Sequence, residues 1–520
     1  MVAICGVARG QSVTIDGSQR FQTIAGFGAN IHYHAWTNNE LKPVIDALID
    51  PGGFNLFRVI FDNADWEATN DNNDSTVMNW SYYNSVYSSA KFQQLWGLIG
   101  YLNQRGISNG IVLNFQGPGP SWMGQPLTAG KEDEWAEMIA SLLIYARTNQ
   151  HLQFTLVAPD NEPNTLNEGI GASATQLATM YHDLAVKLDA NGMSDIRFIG
   201  PDLANGTTAD MPQLIADPVV MAKLATFGVH SYASGGMDSS GVTNYLSGTA
   251  YADRGFWMTE YNVWCTTCEG GAGNFMDWTY NRQTAEYLLA HLDNGAAAGI
   301  VWEGYDSQEN TMNGLWSYWG LYGVDDINAS PKTYTARKDF YTLSQIAKYV
   351  RPGAKKLAVN GSTGGLIVQA YFCPTGFERL SVVGVNSNST SRTLSLTLAS
   401  LPVYSNLDLY YTSSATNWCY AGSVAVANNA LSATIPANCV FALSGLMVPP
   451  ASPTLQATVT PFGLQLGWPL TASNFTLEST TFLPCTNWSC VTNLLRSSNG
   501  LLQTVVSASS NRQWFRLRWP

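Results

Sequence analysis

Two glutamates stand where apolar runs end. Glu162 closes the stretch TLVAPDNEPN (155–164), in which a short β-branched run gives way to Asn161-Glu162-Pro163. Pro163 has no N–H and a fixed φ, so it stops strand pairing and leaves Glu162 at the mouth of a strand. Glu260 sits near the end of a second apolar run, GFWMTEY (255–261). Two carboxyl groups facing one cleft are what cleavage of a glycosidic bond requires. One must be protonated to serve the leaving oxygen; the other must be ionised, as a nucleophile or as a base for water. Their surroundings have to drive the two pKa values apart. For Glu162 alone, the plain alternative is a solvent-facing turn residue.

The elements that would position this pair can be read along residues 20–350. Apolar strand candidates fall at 23–29, 54–61, 110–115, 153–159, 196–201, 226–232, 255–261 and 299–305. Amphipathic helices are expected between them, for example over 133–149 and over 173–192, the latter ending in Asn-Gly. Eight strand–helix repeats fit a (β/α)8 barrel, an α/β fold, better than an open doubly wound sheet. No Gly-rich dinucleotide or phosphate loop follows a strand, so no cofactor is expected. In such barrels chemistry gathers at the C-terminal strand ends. That rule singles out Arg58 and Asp62 on strand two, Asn161 and Glu162 on four, His230 and Tyr232 on six, Glu260 on seven, and Trp302 and Glu303 on eight. Neighbouring strand residues point to opposite faces, so only one of Trp302 and Glu303 should look inward.

Past residue 354 the texture changes to Val, Leu, Ser, Thr and Asn in alternating runs with frequent turn signals, the pattern of a β-sandwich over 355–447. The expected organisation is an N-terminal segment, 1–20, that supplies a strand to the sandwich; a barrel over 21–354; the sandwich; a Pro-rich linker over 448–454; and a small β-rich module over 455–520.

Composition narrows the partners. Charged residues are only 12% of the 520, and the net charge is −12. That argues against nucleic acid or an anionic membrane, both of which call for a basic patch. Seventeen Trp and 24 Tyr suit a neutral carbohydrate, although aromatics fill cores more often. No apolar stretch reaches transmembrane length. The eight cysteines include the close pairs CTTC (265–268) and CTNWSC (485–490), with no histidine at zinc-ligand spacing. Loop disulfides in an exported protein are expected, with buried thiols as the alternative. His32 and His34 in NIHYHAW (30–36) lack a third ligand at a recognisable spacing, so they are read as lining the cleft rather than holding a metal.

Asn161-Glu162-Pro163 after strand four, with Glu260 in WMTEYN at strand seven, resembles the retaining glycoside hydrolases of clan A. Within that clan, QTIAGFGA (22–29) and FYTLSQIAKYVRPGAKKL (340–357) resemble glycoside hydrolase family 30, whose barrel carries a fused β-sandwich. The resemblance runs to about residue 447. It implies that Glu162 is the general acid/base and Glu260 the nucleophile. It also implies that Asn161 bonds the sugar 2-hydroxyl, that Tyr232 donates to Glu260 from a His-x-Tyr strand shared with His230, and that Arg58 lies beneath the nucleophile and lowers its pKa. Trp302 would floor the cleavage subsite, while Trp122 and Trp264 are looser candidates for the cleft. The bland alternatives are a core ion pair for Arg58, a satisfied buried imidazole for His230, and packing for Tyr232 and Trp302.

No basic cluster near VWEGYDSQEN (301–310) would read a uronic acid, so a neutral β-glycan, with a glucan, xylan or galactan backbone, is the expected substrate. Long loops at 62–88, 233–252 and 303–332 tilt the reading toward endo action by a secreted monomer. An exo-acting glycosidase or transglycosylase on the same carboxylates is the nearest rival. A non-catalytic carbohydrate-binding surface protein is the rival of another class.

Overall fold

The computed structural model describes residues 12–36, 39–62, 67–166, 168–233, 239–269, 277–309, 314–374, 378–448, 452–473, 475–484, 487–507 and 512–518. They form two compact units. The larger holds the barrel and a broad β-sheet; the smaller comprises residues 445–520 with the short segments 374–379 and 402–405.

Eight strands close the barrel in chain order: Gly26–His32, Leu56–Asp62, Ile111–Gln116, Leu156–Ala158, Arg197–Leu203, Leu224–Ala233, Phe256–Val263 and Ala296–Val301. All neighbours run parallel, and the last strand pairs with the first to seal the ring. The second and third strands are buried at every position. This follows from their composition, because parallel strands covered on both faces need continuous rather than alternating apolar character. The expected (β/α)8 fold is the one found. The expected helices appear as Glu132–Thr148 and Ala174–Ala190, the second opened by a capping box between Ser173 and Gln176.

Several strand ends differ from expectation by a few residues, and two matter here. The first strand begins three residues later than its sequence suggested, and the eighth stops at Val301 instead of residue 305. The eighth strand is the Ala-rich run AAAGIV, whose small residues carry little strand propensity, whereas the aromatic and polar residues after it leave the ladder. Trp302 and Glu303 therefore lie just past the strand, in the loop above it. The long loops also carry structure of their own. Helices Trp80–Tyr87 and Ser240–Ser247 sit in two of them. A small hairpin of Ser307–Glu309 with Leu315–Ser317 sits in the third.

The sandwich region is one continuous nine-stranded mixed sheet. Ser12–Thr23 lies inside it, antiparallel to Lys355–Gly361 and parallel to Arg392–Ala399. The two edge strands, Cys419–Ala425 and Ala430–Ile435, follow one another in the chain, so the sheet curls nearly closed. It grips the barrel helix Trp278–Asp293: Gln22 and Gln369 donate to the carbonyls of Leu292 and Leu289, and Lys356 pairs with Asp293. The smaller unit contains a four-stranded and a three-stranded sheet around its own core of Leu466, Trp468, Phe475, Leu477 and Val506. No described helix is long and apolar enough to cross a membrane.

Candidate active site

Strands four and seven bring the two glutamates together. A carboxylate oxygen of Glu162, one of Glu260 and a ring nitrogen of His230 all lie within 4.8 Å of one another. Glu260 is built into its strand and lies beside His230 across the ladder. Glu162 comes four residues after its strand and has a φ of 39°, a left-handed conformation that a glutamate rarely adopts. Backbone bonds hold it there. Its N–H donates to the Asp202 carbonyl, and its own carbonyl accepts from the Thr165 N–H and hydroxyl. Backbone in this region costs on the order of 1–3 kcal/mol and persists only where the surroundings over-determine it.

Beneath the pair lies Arg58, completely buried on the second strand. Its Nη1 donates to Asn30 Oδ1 at 2.9 Å and to Glu260 Oε2 at 3.3 Å. Its Nη2 donates to Asn161 Oδ1 at 2.7 Å and Asp202 Oδ2 at 3.0 Å. One planar guanidinium thus ties four barrel strands or strand ends together, a geometry that a lysine point charge would not reproduce. Asp202, also fully buried, accepts from the Thr259 hydroxyl on its other oxygen at 2.6 Å. The space for it comes from Gly228, where a Cβ would stand 1.8 Å from Asp202 Oδ1.

The two glutamates have unequal surroundings. Glu260 receives Tyr232 Oη at 2.5 Å as well as Arg58, with His230 Nδ1 at 3.6 Å. Glu162 Oε1 and His230 Nδ1 share a hydrogen bond at 2.9 Å. Burial lifts Glu162 up to about 7, with the Arg58 charge acting against it and the Asp202 charge adding to it. Burial also raises Glu260, against the pull of His230, Arg58 and Tyr232, so Arg58 does not hold this carboxyl below its ordinary value as the sequence suggested. Desolvation outweighs the charge at a site this enclosed. Two carboxyls so close titrate as a pair, and Tyr232 and Arg58 both donate to Glu260. Burial lowers His230, so it serves as a neutral imidazole between them.

A cavity of about 260 Å³ opens over the pair. Asn161, Tyr232, Trp264 and Trp302 line it. Arg58 and His230 are not among the lining residues and lie against the carboxylates instead. Trp122 does not line it: its indole N–H donates to the Glu67 carbonyl and its ring packs under Lys131. His32 and His34 do not line it either. His34 Nε2 sits 2.7 Å from Asp62, and His32, lowered to about 3 chiefly by burial and then by the nearby His34 and Arg58, meets the Trp302 ring edge-on. Glu303 is buried and accepts from Ser307 and Ser317. Trp302 is the member of that dipeptide that reaches the cavity.

Several lining residues escaped the sequence reading. Trp319, from the loop after strand eight, forms an edge-to-face triangle with Tyr232 and Trp264. Glu168 and Gln116, joined by a 3.0 Å bond, form another stretch of wall. Burial foremost, with the Glu162 charge, lifts Glu168 to about 7. Gln116 and the deeper Asp202 stand at strand ends and would have emerged had the strand-end rule been carried one residue further. Trp319 has no such signal. The wall after strand seven is stapled by a disulfide between Cys265 and Cys268. Both cysteines pack with Ile60, Trp302 and Trp319. Cys5 and Cys485 lie outside the described residues, and with Cys485 the CTNWSC pair.

No protein-family model matches the sequence. A curated relative, an endo-1,6-β-D-glucanase of Neurospora crassa, is 24% identical over 417 residues, covering 73% of this chain and 80% of the relative. Among solved structures, a glycoside hydrolase family 30 subfamily 8 xylanase from Clostridium acetobutylicum superposes with a TM-score of 0.64 at 17% identity, over 83% of this chain and 99% of the other. An endo-β1,6-glucanase superposes with a TM-score of 0.61 at 15% identity, over 84% and 94%.

Proposed function

We propose that this chain, which has the fold of the glycoside hydrolase family 30 enzymes, is a retaining endo-β-glycosidase, and that its substrate is a neutral β-glucan, β-1,6-linked in the first instance. The observation that carries the reading is the pair of carboxyl groups with oxygens within 4.8 Å. That approach suits the roughly 5–5.5 Å carboxyl separation of retaining enzymes and leaves no room for the water an inverting enzyme places between its carboxyls.

The donor pattern supports the division of labour. Glu260, steadied by Tyr232 and Arg58, attacks the anomeric carbon as an anion. Glu162, protonated up to about pH 7, gives its proton to the glycosidic oxygen as that bond breaks. The leaving sugar departs and a glycosyl–Glu260 ester remains. Glu162, now ionised, takes a proton from water; the hydroxyl attacks the same carbon, and Glu260 leaves with overall retention. Asn161 Nδ2 bonds the Glu168 carbonyl through one hydrogen and has a second to offer the sugar 2-hydroxyl.

Two facts favour a neutral glucan. Glu162, Glu168, Glu260 and Glu269 line the cavity, and no Lys or Arg does so among the described residues, so a uronic acid would meet only like charge. The endo-1,6-β-D-glucanase likeness extends over most of both chains. The local disulfide and the charge-poor composition favour an exported protein. The test is a product profile of the full chain on β-1,6-, β-1,3- and β-1,4-glucans, xylan and galactan, read by chromatography and by NMR of the first-formed anomer. Short β-anomeric oligosaccharides from the β-1,6-glucan are expected. Faster turnover of xylan overturns the substrate, and an α-anomer overturns the mechanism.

A further inference from the structure

A second group of acidic side chains lies outside the cavity, between the loop after barrel strand two and the first turns of the helix Glu132–Thr148. One carboxylate oxygen each from Asp71, Glu134 and Glu137 lie within 4.8 Å of one another. Glu137 is 1% exposed, and neither of its oxygens has a hydrogen-bond partner. Asp71 Oδ1 and Asn70 Oδ1 are buried without a partner as well. The Asn70 amide reaches Glu134 through its Nδ2 at 3.4 Å, which keeps its oxygen in the same neighbourhood. The nearby ammonium of Lys187 is engaged elsewhere, at 2.8 Å from the Ser75 carbonyl and 3.1 Å from Asp133.

A buried carboxylate with no donor is expensive, and it becomes costlier with two more beside it. In a protein such a group is ordinarily paired, protonated or bound to a metal. We propose that Asp71, Glu134 and Glu137 form a calcium site that pins the loop after strand two to the helix after strand three. The donor set is all oxygen and mostly anionic, the preference of a hard cation. Calcium binds oxygens at about 2.3–2.6 Å, so two ligands of one ion stand at most about 5 Å apart, which is the spacing found. Magnesium demands a tighter octahedron and keeps its waters, so it fits this partly enclosed cluster less well. The site is independent of the catalytic reading, because it shares no residue with the cavity.

The full chain, stripped with EDTA and desalted, is titrated with CaCl2 and with MgCl2 by calorimetry and melted in parallel. One calcium per chain is expected, with a rise in Tm of about 3–6 °C at millimolar calcium and a much smaller response to magnesium. E137Q and the more exposed E134Q should each weaken calcium binding at least about tenfold and abolish the rise, while E260Q keeps both. E134Q carries the test should E137Q not fold. No heat and no Tm change in the wild type overturns the site, as does calcium binding that survives both variants or is lost in E260Q instead.

Discussion

The two acidic clusters of this barrel each gather their side chains within 4.8 Å, yet the protein compensates their charge in opposite ways. Around Glu162 and Glu260 the protein supplies a buried guanidinium, a phenol and an imidazole, so the carboxylate oxygens face donors that belong to the chain. Around Glu137 it supplies none. A carboxylate whose donors are built in can exchange protons and form bonds without the site collapsing, because its surroundings do not depend on what is bound. A carboxylate left bare is stable only with a partner from solution. The first arrangement suits chemistry; the second suits a structural ion.

The largest test of that contrast is removal of the carboxylates themselves. Glu260→Gln should lower kcat by roughly 10⁵–10⁶, as loss of a nucleophile does. Glu162→Gln should cost roughly 10²–10⁴ on a glycan and far less on an aryl glycoside whose leaving group needs no proton. Steady-state kinetics on both substrates checks the split. Equal losses on both would deny Glu162 the role of acid. Next in size is Arg58→Met, which strips a donor from Glu260 and Asn161 and leaves Asp202 facing no cation. Breaking such a buried pair costs about 3–5 kcal/mol. A marked fall in Tm is expected by calorimetry, and an unchanged Tm would show that the guanidinium does not hold the strand ends together.

What the chain announced and what it concealed divide along the same physical line. The apolar strands were legible because burial on two faces writes itself into residue type over five or six positions. Glu162 and Glu260 were legible because strand ends in a barrel converge on one mouth. Contacts made by loops were legible only in part: Trp264, Trp302 and the Cys265–Cys268 disulfide were, but others were not. Trp319 reaches the cavity through the conformation of a loop, and Trp122, equally aromatic, packs under Lys131 instead. His32 and His34, suggestive as an H-x-H pair, were spent on Trp302 and Asp62. Asp71, Glu134 and Glu137 come from two distant segments, and no local pattern marks their meeting.

A third test uses pH. Glu162 must be protonated to act as acid, and burial places it at about 7, so kcat/KM should fall as pH rises through about 7. The acidic limb belongs to the proton that the pair must lose to free Glu260. In Glu162→Gln, assayed on an activated aryl glycoside, the alkaline limb should vanish while the acidic limb remains. Persistence of the alkaline limb would assign it to another group, with Glu168 the first to examine, since burial and Glu162 lift it into the same range.

The smallest expected effect is the sharpest for the comparison. Glu137→Gln removes a buried carboxylate that lies, like Glu162, within 4.8 Å of another carboxylate, yet at 25 °C its kcat/KM should stay within about twofold of the wild type. The reason is that Glu137 holds a loop to a helix and touches no reacting atom. Its signature should be thermal: a Tm that no longer responds to calcium, and inactivation at elevated temperature at one rate with or without the ion. A kcat/KM loss approaching that of Glu162→Gln, undiminished at low temperature, would join the two clusters into one functional unit and erase the distinction drawn between them.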